Sequence, residues 1–266
     1  MISISYWDLL MLSSLVFLLG GLLWVNGFSK VKELWWATFR MVVQLLFMGI
    51  WLSWVFNADN PIWVAMIGVV MLFAAGYEIS KRQQYRFKKM HSLLIGLLSL
   101  SFIALILLVG VLVFIIQPDP WYQPQYLIPL LGMLLGNSMT AIGLGLDTLT
   151  RSAKQLKGKV EAQLALGKTA KESMRFIKEQ SLHSALIPVI NMLVAAGIIS
   201  LPGMMTGQIL AGADPVEAVK YQIMIMLLIA TSTGLGTLMA IELASRRLFD
   251  HRQRLQLDQL IKTRKF

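Results

Sequence analysis

The chain has 266 residues, of which 56% are hydrophobic and only 14% charged, with a formal net charge of +10. Soluble domains sit near half apolar and a quarter charged, so this composition, with a mean hydropathy of +0.66, excludes an ordinary soluble globule. Cysteine is absent, which excludes disulfides, thiolate metal centres and a cysteine nucleophile.

A bilayer crossing takes about 20 mainly apolar residues, and taken in order the sequence offers about seven. The first, residues 9–28, follows the interfacial aromatic pair Tyr6 and Trp7. It lacks the basic head and cleavage site of a signal peptide and reads as a retained span. A short loop with Lys30 and Lys32 leads to span two, 34–56, entered through Trp35 and Trp36. Asn57-Ala58-Asp59-Asn60-Pro61 is a turn signal, and Pro61 suits the first turn of span three, 62–79. A strongly basic loop, 81–91, precedes span four, 93–116, which ends at a proline-rich stretch. Span five is 126–149. The one long polar run between apolar segments follows, a hairpin region over 151–185, and span six starts near Leu186. Span six meets a break at Leu201-Pro202-Gly203. Asp214 then caps span seven, with Pro215 at N1 and Glu217 at N3, and that span ends near Ser245. The expected fold is all-α, a single polytopic membrane domain over 1–266. Its tail, 246–266, reads either as an amphipathic helix presenting Leu248, Leu255 and Ile261 or as a solvated segment.

Seven spans put alternate loops on opposite sides. One side collects 23 of the 24 Lys and Arg, while Lys220 falls on the other with Asp8, Asp59, Asp119, Asp214 and Glu217. The positive-inside rule places the N-terminus outside and the hairpin and C-terminus in the cytoplasm, across the inner membrane. The basic excess is thus a topology signal. Divided among membrane loops with no recognition motif, it does not point to nucleic acid.

The polar run reads as two amphipathic pieces joined at a breaker. Val160, Leu164 and Leu166 mark the first, and Gly167 stops it. Thr169 caps the second, with Glu172 completing a capping box. Met174, Ile177 and Leu182 give that helix an apolar side, while Lys171, Arg175 and Lys178 keep another side wet. Residues 162–169 also satisfy the loose form of a phosphate-binding loop, but no strand precedes them, so Gly167 is more simply a helix stop. A membrane protein that projects one capped hairpin into water offers it to a soluble partner.

Polar positions inside the spans need a reason, because an unpaired polar group in hydrocarbon costs several kcal/mol. Arg40 and Gln44 share one face of span two, as a snorkelling pair or as pathway residues. Asn137 lies mid-span between Met133 and Met139, and Asn191 lies in span six. Gly132 and Gly136 form G-x3-G, with Gly143 seven further along, a pattern for close helix packing. The break over 200–214, with Pro202, Gly203, Met204, Met205 and Gln208, reads as an interrupted helix near the outer face. Broken helices mark transport sites, and the thioethers suit a flexible lining or a soft-ion contact. His91, His183 and His251 fall outside the spans, so no histidine metal site is expected in the pathway. No acid sits clearly mid-span, which argues against an ion-coupled secondary transporter, and no His or acidic pair supports a membrane-embedded lipid enzyme.

Glu161-Ala162-Gln163, three residues, Gly167, nine residues and Ile177 resemble the E-A-A-x3-G-x9-I loop of ABC importer permeases, with Gln in place of the second Ala. More specifically, Arg40–Leu45, Ile128–Met139 and Ser200–Ile223 resemble the Fet-type iron-export ABC permease family, which has plant relatives linked to aluminium tolerance. The resemblance implies a permease, not itself an enzyme, that exports metal ions such as iron. It implies two copies of the chain with two copies of a separate ATPase subunit, which would bind ATP and magnesium, so no cofactor is expected in this chain. Glu161, Ala162, Gly167, Thr169, Glu172 and Ile177 would then couple to that subunit. One departure stands out: Asn191 and Val194 occupy positions where the family typically has an acid and a lysine.

Overall fold

The computed structural model describes residues 5–28, 30–58, 60–88 and 90–263; Asp59, Lys89 and the last three residues of the tail lie outside that description. The chain divides into two compact units, Met1–Asn60 and Pro61–Phe266. Among the described residues six helices are long and apolar enough to cross a membrane: Tyr6–Val25, Val31–Phe56, Pro61–Arg82, His91–Ile116, Pro124–Gln155 and Pro215–Arg247.

The first unit is a pair of helices, α1 (Tyr6–Val25) and α2 (Val31–Ala58). Ser5 starts α1 through a capping box: its hydroxyl accepts the Trp7 N–H, and Asp8 Oδ2 accepts the Ser5 N–H at 2.9 Å. The two helices meet where Gly20 lies under the Trp35 indole. A Cβ on Gly20 would stand 2.0 Å from Trp35 Nε1, so only glycine permits this approach. Phe17 completes the contact, its ring centroid 6.0 Å from that of Trp35.

The second unit is built around α5 (Pro124–Gln155), which packs against α3 (Pro61–Arg82), α4 (His91–Val111), α8 (Arg175–Ala195) and α10 (Pro215–Arg247). Between them run α6 (Lys157–Ala165), the single turn α7 (Ala170–Ser173) and α9 (Gly203–Leu210). A π-helical turn, Leu112–Ile116, extends α4. The α5 stripe Leu131, Leu134, Ile142, Leu146 and Leu149 is fully buried and supplies much of the core. The outer side chains of α4, such as Leu98, Phe102 and Ile106, stay exposed, as a lipid-facing surface requires. Helix starts follow the local chemistry. Asp214 Oδ1 accepts the N–H groups of Val216 and Glu217 at 2.9 and 3.1 Å, and Pro215 sits at N1 of α10 as the sequence anticipates.

Three expectations change. Among the described residues six helices, not seven, meet the length and apolarity of a span, because the predicted sixth is α8, whose N-terminal half carries Arg175, Lys178 and Glu179. The helix of the polar run does not end at residue 185. Nothing between Arg175 and Leu186 breaks a helix, so the run and the apolar segment form one rod with Pro188 inside it. Among its described residues the tail forms no single amphipathic helix and is solvated only in part, being exposed over residues 251–254. Leu248 is fully buried, and Leu260–Lys262 (β2) pairs antiparallel with Tyr85–Phe87 (β1), the only sheet among the described residues. β1 comes from the basic loop after α3, whose backbone groups find ladder partners in the returning tail.

The close approaches fall at small residues. A Cβ on Gly145 would meet Ala185, Ile241 and Thr237 at 3.3 Å each, at the crossing of α5, α8 and α10. One on Gly96 would meet Ile79 at 3.0 Å, and one on Gly76 would meet Leu97 at 3.2 Å. Across α5 and α10, Ser138 Oγ lies 3.1 Å from Ser232 Oγ and 3.3 Å from Thr233 Oγ1, all buried. Gly145→Leu overpacks three helices and is expected to destabilise the unit by about 1–3 kcal/mol, whereas Ser138→Ala removes one hydroxyl contact and costs about 0.6 kcal/mol. Denaturant unfolding in mixed micelles checks that order. Gly20→Val is expected to part α1 from α2, read as loss of a disulfide cross-link between cysteines introduced on the two helices.

Candidate functional site

The hairpin is a product of local stop and start signals. At the end of α6, Gly167 takes φ +83°, with its N–H donating to the Leu164 carbonyl at 3.0 Å and the Lys168 N–H to that of Gln163 at 3.1 Å. Those two bonds form a Schellman motif, which favours glycine at the left-handed position. Thr169 then restarts the helix. Its hydroxyl accepts the Glu172 N–H at 3.3 Å, and Glu172 Oε2 accepts the Thr169 N–H at 2.9 Å and its hydroxyl at 2.8 Å. The capping box read from the sequence is present.

The base of the hairpin is anchored. Val160, Met174 and Ile177 are fully buried, and all three belong to the core that α5 and α10 share. Lys159 lies over the Phe176 ring, 4.3 Å from its centroid, tying α6 to α8. The tip is open: Leu166 is 81% exposed between the two helix ends. The six coupling residues therefore separate. Glu161, Ala162, Gly167, Thr169 and Glu172 lie at the surface, while Ile177 lies in the core. Lys178 is not wet as the sequence reading expects. Its side chain is only 16% exposed, and its Nζ donates to Glu242 Oε2 of α10 at 2.9 Å. Glu242 also accepts from Arg246 at 2.8 Å, so one carboxylate joins the root of the hairpin to α10.

The residues proposed for a pathway divide between the two units. Arg40 and Gln44 are exposed on α2 of the first. In the second, Met133, Asn137 and Met139 are half-buried on α5, and the Asn137 Nδ2 donates to the Met133 carbonyl at 2.9 Å within its own helix. Pro202 precedes α9 as its N-cap and Gly203 is its first residue. Met204, like Met133 and Met139, packs against the apolar core, and Met205 is buried. Gln208 keeps its side-chain oxygen buried without a hydrogen-bond partner among the described residues. Asn191 and Val194 are exposed and face away from this core. The break itself is tightly folded, with Gly197 and Gly212 at φ +88° and +95° on either side of α9. Of the three packing glycines, Gly132 would place a Cβ 3.3 Å from Met71, and Gly143 would place one 3.5 Å from the Arg82 stem. Gly136 faces open space.

The structure adds residues that sequence reasoning missed. Gln222 on α10 is buried, and its side-chain oxygen has no partner among the described residues. Asp147 on α5 accepts the Gln84 N–H at 2.6 Å and so fixes the start of the α3–α4 loop. Gln253 in the tail accepts the Ala170 N–H at 2.9 Å. The lone acid in span five was a legible signal for Asp147. Nothing local marks Gln253, whose contact is set 83 residues away.

Two carboxylates at this end titrate below their ordinary range. The Thr169 N–H and then its hydroxyl hold Glu172 down, and the Arg254 N–H foremost holds Asp250 down. A depressed folded pKa gives stability that is complete above the unfolded value and is lost as pH falls through the folded one. The protection of the Glu172 and Ser173 amides, as their exchange rate relative to an unstructured peptide at the same pH, is therefore expected to fall as the pH drops below the ordinary glutamate value. Glu172→Gln is expected to flatten that dependence.

Over residues 6–249 the chain matches the family described as Uncharacterised protein family (UPF0014). It is 38% identical over 230 residues to the UPF0014 membrane protein slr1647 of Synechocystis, covering 86% of this chain and 88% of that one. It is 32% identical over 233 residues to the Probable iron export permease protein FetB of Escherichia coli, covering 87% of each. Protein ALUMINUM SENSITIVE 3 of Arabidopsis thaliana is 33% identical over 201 residues, 76% of this chain and 71% of that one. No solved structure matches. A predominantly helical chain with six candidate spans among its described residues, matched from the start of α1 to the end of α10, belongs to the UPF0014 family of membrane proteins.

Proposed function

We propose that this chain is the membrane permease subunit of an ATP-driven ABC transporter that exports metal ions such as iron. A separate subunit hydrolyses ATP, and two copies of each assemble in the inner membrane. The observation that carries the reading is the hairpin: an exposed Leu166 tip, stopped by Gly167 and restarted by Thr169, on a base buried at Val160, Met174 and Ile177. A push on the tip has a rigid route inward. The buried base meets α5 and α10, and the Lys178–Glu242 pair ties α8 to α10. Tilting these helices would shift access around α9. The hairpin and tail then lie in the cytoplasm, in keeping with the basic side of the chain. The 32% identity to the Escherichia coli protein named as a probable iron export permease supports the metal.

A permease with a different cargo is the second reading, favoured by Asn191 and Val194, neither of which carries charge to a cation. Reconstituting the chain with its ATPase in vesicles and measuring ATP turnover against ferrous iron, other divalent ions and organic solutes separates the two. Iron-stimulated turnover with metal efflux supports the first reading; stimulation by organic solutes alone overturns it. Gly167→Trp strains the left-handed position and is expected to lower coupled ATPase activity about tenfold or more. Gly167→Asn, which tolerates that conformation, is expected to retain most of the activity. Equal activity in the wild type and both variants would remove the hairpin from the mechanism.

A further inference from the structure

The hairpin is not alone on its face of the protein. Beyond α10 the chain turns tightly at Asp250, whose Oδ1 accepts the N–H groups of Arg252 and Arg254 at 2.9 and 2.8 Å, while Oδ2 accepts from Arg254 Nε at 2.8 Å. This ring of bonds holds Gln253 in the left-handed region, at φ +57°. From there its side chain reaches the first N–H of α7, that of Ala170. The tail thus completes a helix start whose neighbouring donor is already served by the capping box.

An open cavity of about 580 Å³ lies between hairpin and tail. Glu161, Leu164 and Lys168 form one wall; Arg252, Arg254 and Leu255 form the other. Its charges are unevenly matched. Glu161 is 3.6 Å from Lys157, and Arg254 is held by Asp250. Lys168 and Arg252 are exposed, and neither is ion-paired among the described residues. Leu164 and Leu255 are half-buried, and Leu166 stands exposed beside the cavity. The result is a concave surface of mixed lining, with Leu164 and Leu255 set among charged groups, on which Arg252 and Lys168 have no ion-pair partner among the described residues, although the Lys168 charge also acts on Glu172.

We infer that the tail loop around Arg252 is the second wall of the ATPase dock. The cavity takes from that subunit a surface element with an apolar side chain flanked by carboxylates. The inference rests on the permease reading above and adds the tail and the chemistry of the partner to it. Leu164 and Leu255 beside the cations favour a protein element that carries both an apolar side chain and carboxylates over a lipid headgroup, which would engage the cations alone. Complementary charge at such a rim acts mainly on association rate and on its salt dependence.

The full-length chain in detergent is titrated with its proposed, separately purified ATPase subunit at several salt concentrations. Arg252→Glu and Lys168→Glu are each expected to weaken binding about tenfold and to flatten its salt dependence. Arg252→Lys is expected to bind near the wild-type level, which separates charge from misfolding. Wild-type binding by both reversals, with Gly167→Trp impaired, would overturn this inference and leave the permease reading standing. A wild-type chain that binds no ATPase would overturn both. Short-chain phosphatidylserine is the second probe. If the reversals lose its binding but keep ATPase affinity, the cavity belongs to a lipid headgroup and the inference falls.

Discussion

Water cannot complete a hydrogen bond inside hydrocarbon, so every polar group that enters a bundle there has to be answered by protein. The second unit meets this constraint in two ways. Hydroxyls return to the carbonyl one turn earlier, as Ser99 does to Ile95, Thr150 to Leu146 and Ser181 to Ile177. Where that bond is not made, hydroxyls meet across the helix interface, as at Ser138, Ser232 and Thr233. Neither route satisfies several buried polar atoms among the described residues, the Ser173 and Thr237 hydroxyls included. The side-chain oxygens of Gln208 and Gln222 are among them, on α9 and α10.

The same constraint explains the small residues. Apolar burial gives helices little reason to associate when the solvent is itself apolar, so dispersion and close backbone approach carry the packing. Gly76, Gly96 and Gly145 each let a neighbouring side chain come within van der Waals contact of the helix backbone. Such crossings are rigid. A displacement at one end of α8 or α10 is therefore carried along the rod rather than absorbed by repacking.

The cytoplasmic end, in the proposed orientation, follows different rules. Here water is available, and order comes from capping, charge pairing and return of the tail. Thr169 and Glu172 fix the start of α7, Asp250 fixes the turn of the tail, and Gln253 joins the two. The β1–β2 ladder and the Lys154 ammonium over the Tyr85 ring, 4.3 Å from its centroid, tie the α3–α4 loop into the same assembly. Hairpin, loop and tail consequently share a common base, although they come from distant parts of the chain.

Much of this was legible in the sequence, wherever the cause is local. Apolar runs of sufficient length marked five spans closely. Asp214-Pro215, Thr169–Glu172 and Gly167 announced helix ends because caps and left-handed stops depend on a few neighbouring residues. Periodicity also placed Met174 and Ile177 on a buried face. Other features depended on distant partners. That Lys178 is drawn to Glu242, that Gly145 and not Gly136 takes the tight crossing, and that the tail becomes a strand were decided when α5, α8 and α10 packed. Sequence spacing says which residues share a face of one helix; which face meets another helix, and what stands opposite, is fixed by the whole set of packed surfaces at once.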